Sequence, residues 1–136
     1  MAGSVLVDTG FLIALLNRRD RHHKWAAAQA REFIPPWKTC DAVLSEAFHL
    51  LEGGRRSWLV TLLHRSAVIP AFALADNRDP VFNLMQKYAD VPMSLADACL
   101  VRMTEILADP LILTTDADFR VYRRHSRQVV PCAMPL

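Results

Sequence analysis

Apolar and polar positions alternate between two periods along this chain. Short, solidly apolar runs are separated by longer segments with a helical repeat. Ser4-Val-Leu-Val-Asp8 predicts a buried strand that ends on a carboxylate. Thr9 to Leu16 predicts a helix with Thr9 as its N-cap, and Asp20 is placed to cap a second helix to about Phe33, stopped by Pro35-Pro36. After a tiny strand at Thr39 to Asp41, Asp41 can cap a helix through Leu51, closed by Gly53-Gly54. Arg55 to Arg65 predicts a helix, Ala67 to Ala71 a strand and Asp76 to Tyr88 a helix. Ser94 caps Leu95 to Leu107, with Asp97 at the third position as in a capping box. Leu111-Ile-Leu113 is the second solid apolar run, and Gln128 to Val130 a last strand. Strands that are apolar throughout belong to a parallel sheet covered on both faces. The expected fold is therefore α/β: a three-layer α/β/α sandwich with a central parallel sheet, in one domain over residues 1–136.

Composition narrows the chemistry. The chain has 136 residues and only four glycines, Gly3, Gly10, Gly53 and Gly54. They build no G-x-G-x-x-G and no Walker loop, and there is no G-x-S-x-G elbow. Cys40, Cys99 and Cys132 have neither zinc nor disulfide spacing, which suits a reducing cytoplasm. No basic region precedes the first apolar run, which Asp8 interrupts, so no signal peptide is expected. The uncharged stretch Thr9 to Asn17 is too short to span a bilayer, so no membrane partner is expected. Five histidines form no H-x-x-x-H pair, and Trp25, Trp37 and Trp58 read as packing or interface residues.

The net charge of +2 conceals an asymmetry. Residues 119–136 hold Arg120, Arg123, Arg124 and Arg127 and no acid, which leaves 12 bases against 14 acids before them. A basic tail beside an acidic body fits an anionic partner or a solvated terminus. The acids themselves fall in a pattern. Asp8 and Asp116 each follow an apolar strand, at the sheet edge where α/β folds bind ligands. Glu46 borders the apolar arc formed by Val43, Leu44, Ala47, Phe48, Leu50 and Leu51, so it is expected to face at least half inward. Asp97 lies in a helix first turn, near the positive end of the macrodipole. Each acid alone has an ordinary reading as a turn, cap or paired residue. Gathered in one crevice, they would repel one another unless a cation joined them. Oxygen-only ligands suit Mg²⁺ or Mn²⁺ rather than zinc.

Four segments, in this order, resemble a known family. Val7-Asp8-Thr9, Leu44-Ser-Glu46-Ala-Phe-His-Leu-Leu51, Leu95-Ala-Asp97-Ala98 and Leu113-Thr-Thr-Asp116-Ala-Asp118-Phe119 are similar to the motifs of a PIN domain. The closest similarity is to VapC-type toxin ribonucleases of toxin–antitoxin pairs, over about Val5 to Val130. The resemblance implies a Mg²⁺- or Mn²⁺-dependent endoribonuclease that cleaves RNA with metal-activated water. It carries catalytic and metal-binding roles onto Asp8, Glu46, Asp97 and Asp116. Asp118 is the other choice for the fourth acid, with Asp116 preferred because it directly follows Thr-Thr and the buried strand. Thr9 and Thr115 are candidates to support the site through their hydroxyls. Arg120, Arg123, Arg124 and Arg127 are candidates for RNA phosphate contact. The implied partners are RNA, a small antitoxin that blocks the acidic pocket, and a second copy of the chain, with the Trp58 to Leu63 helix as a possible dimer face.

Two other function classes stay open at this point. One is a catalytically inactive PIN-like interaction module. The other is an α/β phosphatase or phosphotransfer protein, which also places acids at strand ends. Gly10 stands where haloacid-dehalogenase-like phosphatases need a second Asp, and no Lys follows Lys87 for a receiver-type site.

Overall fold

The two solid apolar runs lie side by side at the middle of the sheet. In the computed structural model, which describes residues 3–136, β1 (Ser4–Val7) pairs in parallel with β4 (Pro110–Leu113), Val7 facing Leu113. On its other side β1 pairs with β2 (Trp37–Thr39), which pairs with β3 (Val68–Pro70). A short edge strand, β7 (Cys132–Ala133), completes the order β3-β2-β1-β4-β7, all parallel. Leu6, Val7, Ile112 and Leu113 have no solvent exposure. Consecutive strand residues point to opposite faces, so both faces of the sheet are covered. Helices flank the sheet, as a three-layer α/β/α sandwich requires.

Chain order explains where a site can form. From β1 the chain steps outward to β2 and β3, then returns to the other side of β1 as β4. That reversal puts the crevice at the carboxyl ends of β1 and β4. The helices are α1 (Thr9–Leu16), α2 (His23–Glu32), α3 (Asp41–Leu50), α4 (Gly54–His64), α5 (Arg78–Lys87) and α6 (Leu95–Ile106). α1 packs against α2, α3 and α4, while α6 packs against α5 and α3. Phe11 on α1 meets Trp25 and Trp37 edge-on, at 6.1 and 5.4 Å between ring centroids. Those two tryptophans are therefore packing residues, as expected. Trp58 on α4 is 53% exposed, whereas Leu59 beside it is fully buried.

Several local expectations are corrected. Asp8, not Thr9, caps α1: its Oδ1 accepts from the Thr9 N–H at 2.7 Å. Asp20 does not cap α2. Its carboxylate accepts from the His22 N–H two residues on and closes a turn, and α2 starts at His23 without a side-chain cap. Asp41 lies inside the first turn of α3, with Cys40 at the cap position. Gly53, at φ +57°, opens α4 rather than closing α3, a left-handed conformation that glycine adopts without strain. Leu50 is 59% exposed and leaves the apolar arc.

The expected helix from Asp76 to Tyr88 forms, starting two residues later. A 3₁₀ turn at Leu74–Asp76 ends at Asn77, whose amide donates to the Ala73 carbonyl, and α5 begins at Arg78. Gln128–Val129 is a strand (β6), but it pairs antiparallel with β5 (Arg123–Arg124) in a separate ribbon. The last strand of the parallel sheet is Cys132–Ala133 instead. No helix among the described residues is long and apolar enough to cross a membrane.

Candidate metal centre

Register alone brings the strand-end groups together. Val7 faces Leu113, so Asp8 and Thr114 are the next residues out on neighbouring strands. The Thr114 hydroxyl donates to Asp8 Oδ2 at 2.7 Å, and Asp8 N–H donates to the Leu113 carbonyl at 3.1 Å. Thr114 Oγ1 also accepts from the Asp116 N–H at 2.9 Å, which turns the chain after β4 and carries the Asp116 carboxyl back toward Asp8. Asp116 then caps the 3₁₀ turn Ala117–Arg120, its Oδ1 accepting from the Asp118 N–H.

Asp97 arrives from the opposite wall. Ser94 Oγ accepts from the Asp97 N–H at 3.0 Å, which is half of the expected capping box. The other half is diverted: Asp97 Oδ2 accepts from the Tyr122 hydroxyl at 2.8 Å. One carboxylate oxygen each from Asp8, Asp97 and Asp116 lies within 4.8 Å of the others. All three acids sit at the start of a helix or 3₁₀ turn, where unpaired backbone N–H groups favour negative charge.

For Asp8 and Asp97 burial opposes that favour. Asp8 is 5% and Asp97 8% exposed. Burial pushes the Asp8 carboxyl up from 3.8 to about 7; the Thr114 and Thr9 hydrogen bonds pull it down, and the Asp97 and Asp116 charges push it further up. Burial likewise raises the Asp97 carboxyl, against the Tyr122 hydrogen bond and with help from the Asp116 charge. Tyr122 is itself held protonated by burial and by Asp97, so it acts as a donor. Desolvated, mutually repelling carboxylates with only oxygen donors fit a hard divalent cation. Asp8, Asp97 and Asp116 would hold it.

Glu46 and Asp118 line the same cleft, about 330 Å³ in volume, outside that tight group. Glu46 is exposed rather than half inward, but its carboxylate is not adrift: Oε2 accepts from the Thr9 hydroxyl at 3.1 Å. Thr9 thus links the first turn of α1 to α3. Thr115 lines the cleft through a close approach to α1. A Cβ placed on Gly10 would sit 2.0 Å from Thr115 Oγ1, so glycine is what lets the helix and the β4 end meet there.

The four arginines separate into two kinds. Arg123 donates to the carbonyls of Arg120, Val121 and Tyr122, and Arg124 donates to the Thr104 carbonyl. Each guanidinium thus bonds backbone within the fold through one nitrogen, and the buried Arg124 Nε has no partner among the described residues. Arg120 and Arg127 are exposed. The ribbon they frame is tied down by the Tyr88 hydroxyl accepting from the Arg123 N–H, and by Glu105 accepting from the His125 N–H.

Two residues that hold the acids, Thr114 and Tyr122, escaped the sequence reading. Thr114 was legible in principle, because the parallel pairing of two strands that each end in an acid puts the residue after Leu113 beside Asp8. Tyr122 was not, because its contact to Asp97 spans two elements 25 residues apart that tertiary packing against Tyr88 and Phe119 and bonds from the ribbon to α6 bring together. Tyr122→Phe keeps that packing and removes one donor to a buried carboxylate. Asp97 then titrates higher, and the Mg²⁺ concentration giving half-maximal thermal stabilisation should rise about tenfold, the lower end for losing a group that orients a ligand. An unchanged Mg²⁺ titration would show that Tyr122 does not tune the centre.

The sequence matches the PIN domain family over residues 5–124, a span holding all five acids. No curated protein sequence matches the chain. PIN domains are generally nucleases, and these nucleases use divalent metals, in keeping with the carboxylates gathered here. On this match, together with the parallel sheet and its acidic carboxyl edge, the chain belongs to the PIN domain family.

Proposed function

We propose that this protein is a Mg²⁺- or Mn²⁺-dependent endoribonuclease and the toxin of a type II toxin–antitoxin pair. The observation that carries the nuclease reading is the trio of Asp8, Asp97 and Asp116 oxygens within 4.8 Å at the carboxyl edge of the sheet. A divalent cation held there supplies Lewis acidity toward water and toward the charge that builds on a phosphodiester. The chain's own residues do the rest. Thr114, Thr9 N–H and Tyr122 fix the carboxylates in place before substrate arrives. Glu46 and Asp118, on the rim, are the carboxylates free to take the proton of the attacking water. Exposed Arg120 and Arg127 offset the repulsion between the acids and RNA phosphates.

The toxin assignment is supported by the likeness of the four motif segments to VapC-type proteins. A small antitoxin would cover the acidic cleft. A homodimer would use α4, where Trp58 and Val60 are exposed beside buried Leu59. Three free cysteines agree with residence in a reducing cytoplasm.

The test is digestion of RNA by the purified protein in Mg²⁺, in Mn²⁺ and in EDTA, with p-nitrophenyl phosphate as a parallel substrate. The reading expects internal RNA cleavage that EDTA abolishes. Hydrolysis of p-nitrophenyl phosphate without RNA cleavage would make it a phosphatase, and no hydrolysis of either would make it an interaction module. For the toxin role, a small open reading frame just upstream should encode a protein that suppresses the cleavage.

A further inference from the structure

A second cavity adjoins the acidic cleft and shares one residue with it, Glu46. Its volume is about 480 Å³, within the ~300–1,000 Å³ typical of small-ligand pockets. It lies between the start of α3, the stretch after β3 and the start of α6. Phe72, Leu74 and Leu95 make apolar walls, and Asp41 and Ser45 bring the polar groups. None of these residues takes part in holding the acids. Asp41 is exposed, lies in the first turn of α3 and lines the cavity together with Cys99 of α6.

Resting on the ribonuclease reading above, we infer that this cavity receives a guanine base next to the cleaved phosphodiester, with Asp41 as the group that selects it. RNA held at the acidic cleft must place a neighbouring nucleoside somewhere, and the shared Glu46 makes this cavity the adjoining space. A flat ring with two faces to cover fits apolar walls that include an aromatic side chain. An ionised carboxylate only accepts hydrogen bonds. Guanine alone among the four bases presents two adjacent donors, N1–H and the 2-amino group, to one carboxylate. Uracil offers a single donor between two carbonyl oxygens, which a carboxylate repels. Adenine and cytosine offer an amino group beside a ring nitrogen that is itself an acceptor.

The experiment maps the cleavage ends produced in Mg²⁺ from an oligoribonucleotide randomised around the cut. It then compares kcat/KM for matched RNAs carrying guanosine, inosine or uridine at the preferred position. Wild-type protein should favour guanosine over uridine by about tenfold or more, the scale of one bidentate contact to a base. Inosine, which lacks the 2-amino group, should fall between. Asp41→Asn should bring the guanosine-to-uridine ratio down about tenfold, and Leu74→Trp, which narrows the cavity, should also collapse it. Each ratio is taken within one variant, so a general loss of activity cancels, and circular dichroism confirms that each variant is folded. A wild-type enzyme that cleaves RNA without guanine preference overturns the inference alone, as does either variant keeping the wild-type ratio. A wild-type protein that cleaves no RNA in Mg²⁺ or Mn²⁺ overturns the ribonuclease reading itself.

Discussion

Asp8→Asn should lower Mg²⁺-dependent RNA cleavage by about 100- to 1,000-fold, the scale of losing one preorganised electrostatic contact. The same change should leave the fold intact. Asparagine is as good an N-cap as aspartate, and its Oδ1 can still accept from the Thr9 N–H. Its amide would face Thr114 Oγ1, turning that hydroxyl from donor to acceptor. A hydroxyl proton left without its acceptor costs about 1 kcal/mol. Against that, the variant no longer buries a charge beside Asp97 and Asp116. In EDTA at pH 8, Asp8→Asn should therefore melt above wild type, and in saturating Mg²⁺ below it. This crossing of the two melting temperatures separates a metal ligand from a structural cap. Retained cleavage, or a variant that melts lower in both conditions, would remove Asp8 from the proposed centre.

The sheet was legible where sequence and burial say the same thing. Val5-Leu-Val and Leu111-Ile-Leu are apolar on consecutive positions, which only a strand covered on both faces tolerates, and they became the central pair. Their terminal acids followed as neighbours because parallel register aligns strand ends. What failed were assignments where a polar side chain had several possible partners. Asp8, Thr9, Asp20 and Asp41 are all competent caps by residue type. Asp8 caps through Oδ1 while Oδ2 takes the Thr114 hydroxyl, Asp20 closes a turn at His22 instead, and the Thr9 hydroxyl goes to Glu46 one helix away. β7 was invisible for another reason: two residues at a sheet edge carry no periodicity, and their pairing to Ile112 and Leu113 is set by β4 alone.

Within the site, sequence order gave the acids and structure ranked them. Asp116 joins the tight group, whereas Asp118, two residues on, spends its N–H on Asp116 and stays at the rim. Glu46 keeps its place at the cleft, but through Thr9 rather than through burial. Arg123 and Arg124 show the limit of reading charge: a run of arginines looks free in sequence, yet each guanidinium turns one nitrogen back to backbone carbonyls, Arg123 to Arg120, Val121 and Tyr122 and Arg124 to Thr104.

The acidic trio should also write itself into the pH dependence of stability. The folded protein holds a proton on Asp8 up to about pH 7, whereas the unfolded chain releases it near 3.8. Over that window the folded state binds more protons than the unfolded state, so metal-free stability falls as pH rises. At about 1.4 kcal/mol per unit of pKa difference, Asp8 contributes on the order of 4 kcal/mol that is fully present below pH 3.8 and lost as pH passes 7. Burial shifts Asp97 in the same direction. A divalent cation reverses the trend, because it binds the ionised carboxylates and competes with the protons. The gain in melting temperature from Mg²⁺ over EDTA should thus be small at pH 5.5 and large at pH 8. In Asp8→Asn both the metal-free decline and the Mg²⁺ gain should flatten, since the group that couples them is gone. A Mg²⁺ gain equal at the two pH values, or a metal-free wild type that grows more stable from pH 5.5 to 8 while Asp8→Asn does the same, would mean that the acids are not held as a desolvated metal centre.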